Sequence, residues 1–177
     1  EELANERTCD QYMKYAMLSA HKKLRLTGQR LGASGAICHL CRITNNHVNQ
    51  YVLQLANVGD VEMVLCRRGE ALVLTRNFLT TRDRDECQRV YKADGIVTED
   101  SKVSGTTRNT RLLGCAYLYP YIIPDPYTTT VVLRHDDEFV IMANHSLWRY
   151  VSYEEAVESV YETGNPVVAA KKLQDLA

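Results

Sequence analysis

Four short apolar runs separated by turn residues constrain the fold of this chain more than any other feature. They are rich in Val, Ile and Leu and occupy residues 36–43, 51–58, 61–68 and 71–76 (AICHLCRI, YVLQLANV, VEMVLCRR and ALVLTR). The pairs Gly59-Asp60 and Gly69-Glu70, which separate the later runs, are typical of tight turns. Runs of this length joined by short polar turns indicate antiparallel strands, so the pattern predicts a β-meander from residue 36 to residue 76.

Helical patterns lie on both sides of these strands. Residues from about Asn5 to Leu26 follow helical spacing, and Gly28 is a plausible stop. Residues 81–110 read as an irregular, flap-like insertion. It begins with a charged, helix-like stretch and continues through a part rich in Gly, Ser, Thr and Asn, a composition typical of surface excursions that border a site.

The remainder of the chain combines a proline-rich segment, two strands and two helices. Residues 112–127 are apolar but broken by three prolines, which predicts extended, loop-like backbone. Residues 128–143 predict two strands joined by an acidic turn. Ser152 and Glu155 form a capping-box pattern for one helix, and Pro166 opens another. Because strands and helices are segregated along the chain, the fold class is α+β, with a sheet layer packed under helices.

The composition excludes several classes of protein. A chain of 177 residues with 45% hydrophobic and 24% charged residues is expected to form a globular core within one domain. A net charge of −1 gives no general case for binding nucleic acid, and no apolar stretch approaches the roughly 20 residues that direct membrane insertion requires. The six cysteines are scattered rather than clustered, which favours reduced thiols and a cytoplasmic protein.

Two residue clusters could bind a metal ion, and each has a simpler interpretation. Cys38 and Cys41 form a CxxC around His39, but on a strand they point to opposite faces, which favours structural cysteines over zinc ligands. The acidic run from His135 to Glu138 is typical of a turn between strands. Asp60, taken alone, also reads as a turn residue. No nucleotide-binding or hydrolase motif is present, so the pattern assigns no catalytic residue.

The strands around Asp60 nevertheless resemble a known family. ANVGD followed by VEMVLCRRGEALVLT (residues 56–75) is similar to the signature of the type 2C, metal-dependent protein serine/threonine phosphatases. GASGAICHL, NTRLLG and DEFVIMANHSLWRYVSYEEAV follow that family's other segments in order, so that the resemblance covers Tyr12 to Ala177. TEDSKVSG, RLLGCAYLYPYIIPDPY and AAKKLQDLA look most like the phosphatase domain of the PH domain leucine-rich repeat protein phosphatases.

The resemblance implies a layered sandwich of antiparallel β-sheets flanked by helices. Residues 1–177 would form part of a single phosphatase domain that is incomplete at both ends. It also implies two or three Mn²⁺ or Mg²⁺ ions held by aspartates, because hard cations prefer oxygen ligands, and a metal-generated hydroxide that attacks the phosphorus directly.

Three residues correspond to the implied site. Asp60 matches a carboxylate that helps to hold the family's third, weaker metal. His145 and Arg149 stand where the family has the two aspartates of an Asp-Gly-x-Trp-Asp motif. His145 is a weak metal-ligand candidate because imidazole can bind Mn²⁺. Arg149 repels a metal but is suited to gripping a substrate phosphate with two hydrogen bonds.

The resemblance implies a parent protein that hydrolyses phosphoserine and phosphothreonine in signalling proteins, namely kinases of the protein kinase B and C type. The replaced aspartates leave an alternative open, which is a pseudophosphatase that binds phosphoproteins or kinases without hydrolysis. Further family metal aspartates would lie outside residues 1–177, so this stretch alone is expected to be inactive. Other domains of the parent are expected to partner this one and to recruit it to a membrane or the nucleus.

Overall fold

Within the described residues, the strands form two three-stranded antiparallel sheets and one short two-stranded antiparallel pairing. The computed structural model describes residues 2–24, 26–45 and 48–177, and the side chains of residues 11–24, 26–44 and 49–177. The elements follow in the order α1 (Glu2–Lys23), α2 (Thr27–Arg30), β1 (Gly32–Ala33), β2 (Gly35–Asn45), β3 (Val48–Val58), β4 (Glu62–Arg67), β5 (Glu70–Val73), α3 (Arg84–Lys92), β6 (Leu113–Gly114), a 3₁₀ turn (Ala116–Leu118), β7 (Tyr127–Val132), β8 (Asp137–Ala143), α4 (His145–Trp148), α5 (Tyr153–Val160) and α6 (Pro166–Leu176).

The predicted meander is wrong at one step. Within the described residues, β2, β3 and β7 form one three-stranded sheet, and β5, β4 and β8 form the other, so that β3 and β4 do not pair. The reason lies in burial: Val52, Leu53, Leu55 and Ala56 of β3 are all buried, on both faces of the strand. A meander with one solvated face leaves half of these side chains in water, whereas a layered arrangement covers both faces. The α+β sandwich implied by the resemblance is confirmed.

The second sheet and the C-terminal helices share a hydrophobic core. Residues of β4 and β8 pack there against α4, α5 and α6, and the buried members are Val64, Cys66, Ile141, Leu147, Trp148, Val151, Ala156, Val157, Val160 and Leu173. The predicted helix starts are confirmed. The Ser152 side chain accepts a hydrogen bond from the Glu155 backbone N–H at 3.1 Å, and Asn165 caps α6 immediately before Pro166.

The first helix ends earlier than its pattern predicts. α1 stops at Lys23, and Gly28 lies inside the short helix α2 instead of ending a longer one. A Cβ added at Gly28 would be 3.4 Å from the Gly114 Cα, so this glycine allows a close approach between two segments. Within the described residues, no helix is long and apolar enough to cross a bilayer. The Cys9 thiol and the predicted turn residues Asn46 and His47 lie outside the described set.

The flap-like segment and the proline-rich segment pack together. α3 begins at Arg84 because the Asp83 side chain caps it, accepting from the Glu86 N–H at 3.1 Å. The proline-rich segment is more ordered than predicted, with a short strand and a 3₁₀ turn. Both segments contribute to a second core, whose buried members are Val90, Val103, Leu112, Cys115, Leu118 and Ile122. That residues 81–110 form an inserted flap stays a prediction.

Candidate functional site

Asp60 is held in place by Ser34, which lies between β1 and β2. The aspartate lies in the turn after β3 and is only 9% exposed. The Ser34 hydroxyl donates to Asp60 Oδ1 at 2.6 Å, and the Asp60 backbone N–H donates to Ser34 Oγ at 3.2 Å. Gly59 makes this approach possible, because its φ is +78° and an added Cβ would be 2.2 Å from Ser34 Oγ. The carboxylate is therefore fixed where β2 begins and β3 ends. This end of the two strands, around Ser34 and Asp60, is the Asp60 edge.

His145 is the partner of Asp60 at this edge. Its Nδ1 lies 3.2 Å from Asp60 Oδ2, and its side chain is 60% exposed against 12% for Asp60. His145 is the first residue of α4, and the preceding Asn144 caps that helix by accepting from the Ser146 N–H at 3.0 Å. The structure thus brings together two residues that the resemblance assigned to one site.

The tryptophan of the same loop anchors it to the second sheet. Trp148 Nε1–H donates to the Ala143 carbonyl at 2.9 Å and to the Glu62 carbonyl at 3.3 Å. Its ring meets Tyr153 edge-on, with centroids 5.1 Å apart. Because these contacts fix α4 against β4 and β8, they also fix the position from which His145 reaches Asp60.

Arg149 lies one helical turn beyond His145 but points elsewhere. Its backbone N–H donates to the His145 carbonyl at 3.0 Å, and its exposed guanidinium lies over the Tyr150 ring, 5.6 Å from the centroid. It is therefore near the Asp60 edge without touching Asp60 in the described contacts. Its guanidinium is exposed and therefore accessible to an anion from solvent.

A buried carboxylate close to this edge was not singled out from the sequence. Glu62, which is 3% exposed, accepts hydrogen bonds from Asn77 Nδ2 at 2.7 Å and from the Tyr153 hydroxyl, and it lies 3.5 Å from Arg82 Nη1. Burial, and then the bond to Glu62, raises the pKa of Tyr153 to about 12, so that its hydroxyl remains a donor. Glu62 is thus committed to structural partners. Its position at the start of an otherwise apolar strand was the one available signal.

The two clusters that the sequence offered as possible metal sites, around His135 and around Cys38, have structural roles instead. The acidic turn before β8 pairs with the basic end of β4: Arg67 binds Asp137 through Nε at 2.6 Å, and Arg68 Nε lies 2.6 Å from Asp136. Asp136 lies in the turn, and Asp137 begins β8 opposite Arg67 at the end of β4, so both contacts are structural. Cys38 and Cys41 are opposite Leu55 and Val52 in the β2–β3 register, so they fall on different faces of the sheet. The thiols of Cys38, Cys41, Cys66, Cys87 and Cys115 are free, as expected.

The donor set at the Asp60 edge does not by itself fit a divalent cation. Asp60 and His145 offer one carboxylate and one imidazole, whereas Mn²⁺ and Mg²⁺ prefer about six ligands that are mostly oxygen. Among the described residues, no group of three or more His, Cys, Asp and Glu side chains is arranged to hold an ion. The metal role of Asp60 and His145 therefore stays a prediction of the resemblance.

Comparison with known families and proteins agrees with this geometry. The family described as Protein phosphatase 2C matches residues 2–177. The chain is 37% identical over all of its 177 residues to PH domain leucine-rich repeat-containing protein phosphatase 1 of Homo sapiens, of which it covers 10%. It is 35% identical over 125 residues to Protein phosphatase 2C homolog 1 of Saccharomyces cerevisiae, matching 71% of this chain and 44% of that protein.

Solved structures show the same fold. The crystal structure of serine-threonine phosphatase 2C from Toxoplasma gondii matches with a TM-score of 0.71 over 98% of this chain and 64% of that one, at 15% identity. A serine/threonine phosphatase of S. agalactiae matches with a TM-score of 0.62 over 94% of this chain and 63% of the other, at 17% identity. At such low identity the likeness concerns the fold alone. The chain spans about a tenth of the length of the PH domain leucine-rich repeat relatives.

Proposed function

The chain belongs to the protein phosphatase 2C family, and we propose that the intact protein uses it to dephosphorylate serine and threonine residues of signalling proteins. The class we propose as substrate is a phosphorylated kinase segment, of the protein kinase B and C type. The observation that carries the proposal is Asp60 itself. The family's ANxGD turn is present, and its nearly buried carboxylate is preorganised by Ser34 where β2 begins and β3 ends.

The side chains around Asp60 suit a phosphate monoester. His145 is exposed on one side of the carboxylate, and Arg149 follows four residues later, directly after the end of the same short helix. Guanidinium and imidazole N–H groups are strong donors to phosphate oxygens, and an arginine binds two of these oxygens at once. The Asp60 edge therefore offers a place for the phosphate beside a fixed carboxylate.

A second candidate is favoured by the same histidine and arginine. His145 already occupies the space against Asp60 Oδ2 at 3.2 Å, and Arg149 is permanently charged. An edge with this charge attracts an anion and disfavours a divalent cation. The second candidate is therefore a pseudophosphatase, a module that binds phosphorylated serine or threonine segments and does not hydrolyse them.

One experiment separates the two candidates. Phosphate release from a phosphothreonine peptide is measured with the intact protein in Mn²⁺ and again in chelator, beside the variants His145→Asp and Arg149→Asp. Mn²⁺-dependent turnover by the natural sequence supports the phosphatase. Peptide binding without turnover, combined with turnover in the aspartate variants, supports the binding module. Neither binding nor turnover in any of these proteins would contradict both candidates.

The rest of the intact protein is proposed to choose the target. The chain covers only 10% of the PH domain leucine-rich repeat relatives, whose names describe a PH domain and repeats beside the phosphatase. We propose a comparable arrangement here, in which other domains dock the kinase and recruit the protein from the cytoplasm to a membrane or the nucleus.

A further inference from the structure

Two segments that are distant in sequence meet at one corner of the fold. The end of α1 and the helix α2 lie within residues 22–31, and the strand β6 and the 3₁₀ turn lie within residues 113–119. β1, which follows α2, pairs with β6, and the Cys115 backbone N–H donates to the Leu31 carbonyl at 2.8 Å. We call these two segments together the α2 corner.

The α2 corner exposes four large apolar or aromatic side chains. Leu26 is 86% exposed and Leu31 is 66% exposed, one on each side of α2. Tyr117 and Tyr119, from the other segment, are 51% and 71% exposed. Single exposed apolar residues are common on protein surfaces, but several in one place mark a contact surface.

The same corner is basic. Lys22, Lys23 and Arg30 are exposed. Residues 11–59 contain six Lys and Arg and no Asp or Glu, and residues 111–124 contain no Asp or Glu either. Outside residues 11–59 the chain carries fifteen Lys and Arg against twenty-two Asp and Glu. The positive charge of a nearly neutral chain is therefore concentrated in the stretch that supplies α2.

We propose that the α2 corner docks the protein onto the surface of an anionic membrane. Lys22, Lys23 and Arg30 contact the anionic head groups, because their apolar stems can lie among the lipids while the charges stay in water. The side chains of Leu26 and Leu31 enter the boundary between the head groups and the acyl chains. Tyrosine prefers the same boundary, since its ring is apolar and its hydroxyl is polar.

The local charge decides this contact, not the net charge of the chain. At physiological ionic strength, charges that lie more than about 8 Å from the lipid are largely screened. The acidic residue nearest in sequence to the second segment of the corner is Asp125. Its carboxylate is already paired, with Lys14 Nζ at 2.5 Å and with Arg111 Nη1 at 3.3 Å. An anionic surface therefore meets the cations of the corner without repulsion from this carboxylate.

A bilayer suits these side chains better than the other anionic partners do. A nucleic acid would use the cations but offers no apolar region for two exposed leucines. A folded acidic protein binds tightly by enclosing anchor residues in pockets of matching shape. Fluid lipids adapt to side chains that project from the ends of short elements, and Leu26 projects in this way.

Docking at this corner also determines where the Asp60 edge lies. Leu31 precedes Ser34 by three residues, and Ser34 holds Asp60. A membrane bound at the corner is therefore close to the Asp60 edge. The proposal does not rest on the phosphatase function, because its test measures lipid binding and not turnover.

The test compares lipid binding by variants of the intact protein. Sedimentation at fixed salt measures the affinity for vesicles of phosphatidylcholine that contain phosphatidylserine, and for vesicles of phosphatidylcholine alone. The double variant Lys22→Ala, Lys23→Ala should bind the anionic vesicles about 30-fold more weakly, because two charges leave the contact. The matched control is Lys171→Ala, Lys172→Ala, which removes two exposed lysines of α6 and should bind like the natural sequence.

The comparison is informative even if other domains of the intact protein also bind lipid, because their contribution is the same in both double variants. The midpoint of unfolding in urea, measured for each variant, excludes a loss of folding as the cause. Equal affinities of the two double variants for the anionic vesicles would overturn the proposal. Unchanged vesicle binding combined with weaker binding of a polyglutamate peptide by Lys22→Ala, Lys23→Ala would assign the corner to an acidic protein instead.

A further variant tests the role of the exposed leucines. Leu26→Ser removes an apolar side chain from the contact and should weaken binding to the anionic vesicles about tenfold. Val167→Ser is the matched control, because Val167 is 75% exposed on α6, outside the corner. Equal affinities of these two variants would show that no leucine enters the bilayer and would overturn the assignment to a membrane.

Discussion

Ser34 and Asp60 are 26 positions apart in the chain and are joined by a 2.6 Å hydrogen bond from Ser34 Oγ to Asp60 Oδ1. The bond links the start of β2 to the end of β3, next to the point where the chain passes from one sheet to the other. Because the same hydroxyl also accepts from the Asp60 N–H, Ser34 fixes both the turn and its carboxylate. The Asp60 edge therefore depends on a residue that no local pattern assigned to it.

Removing the Ser34 hydroxyl is expected to destabilise the protein. Ser34→Ala leaves the nearly buried Asp60 carboxylate without its hydroxyl donor, and hydrogen bonds to charged groups contribute about 1.5–3 kcal/mol. The free energy of unfolding, measured in urea with the fluorescence of Trp148 as the signal, should fall by that amount. Ser146→Ala, at an exposed position of α4, is the matched control. Equal effects of the two substitutions would show that the Ser34 bond contributes nothing.

The turn glycine is expected to tolerate substitution worse than another glycine of similar backbone conformation. Gly59 and Gly105 have φ of +78° and +69°, but an added Cβ meets Ser34 Oγ at 2.2 Å in the first and nothing within 4 Å in the second. Gly105→Ala should cost about 1 kcal/mol from the left-handed backbone alone. Gly59→Ala should cost more, because Ser34 must also move. Equal losses of unfolding free energy would contradict the close approach at Gly59.

A buried glutamate of α3, Glu86, is expected to be essential for stability. The Glu86 carboxylate accepts hydrogen bonds from Arg111 Nε at 3.0 Å and Nη2 at 2.7 Å. It also accepts from Arg89 Nε at 3.1 Å and from the Thr110 hydroxyl at 3.0 Å. Glu86→Gln leaves two arginines without their counter-charge, and breaking a buried pair in this way costs about 3 kcal/mol or more. Asp85→Asn, an exposed neighbour on α3, is the control for the change in charge.

The same glutamate predicts how stability depends on pH. Burial acts to raise the pKa of Glu86, but the hydrogen bonds and charge of Arg111, with the charge of Arg89, outweigh it and hold the pKa below its ordinary value. Its contribution is therefore present above the unfolded-chain value of about 4.3 and is lost as the pH falls through the lower folded-state value. We expect the urea midpoint to fall with pH in that range, and to fall less in Glu86→Gln. Identical pH profiles would show that another group governs acid unfolding.

Arg149 is expected to contribute to phosphate recognition. Arg149→Ala should weaken the binding of a phosphothreonine peptide by about tenfold, since one charge-assisted pair is typically worth that much. Lys92→Ala removes one exposed positive charge from the end of α3 and controls for net charge. Binding is measured by calorimetry at fixed salt with the phosphorylated and unphosphorylated peptides. Equal affinities for Arg149→Ala and Lys92→Ala would remove Arg149 from the proposed site.

The family resemblance of the sequence is enough to single out Asp60, His145 and Arg149, but it does not indicate their contacts. That Asp60 Oδ2 faces His145 Nδ1, and that Arg149 rests on Tyr150, follows from the position of α4. Trp148 sets that position through the carbonyls of Glu62 and Ala143. The burial of Glu62 was not predictable from pattern, because glutamate is usually exposed unless a partner offsets its desolvation.

The features that follow from sequence alone are local. Ser152 and Pro166 mark helix starts, and Gly59 and Gly69 mark turns, because capping bonds and positive φ depend on residues only a few positions apart. Contacts between distant parts of the chain are what place β3 and β4 in different sheets, pack Gly28 against Gly114, and bring Asp60 to Ser34 and His145. A buried strand needs other parts of the chain to cover both of its faces, and a buried charge needs a partner to offset its desolvation. Neighbouring residues in the sequence supply neither, so these contacts form only in the folded chain.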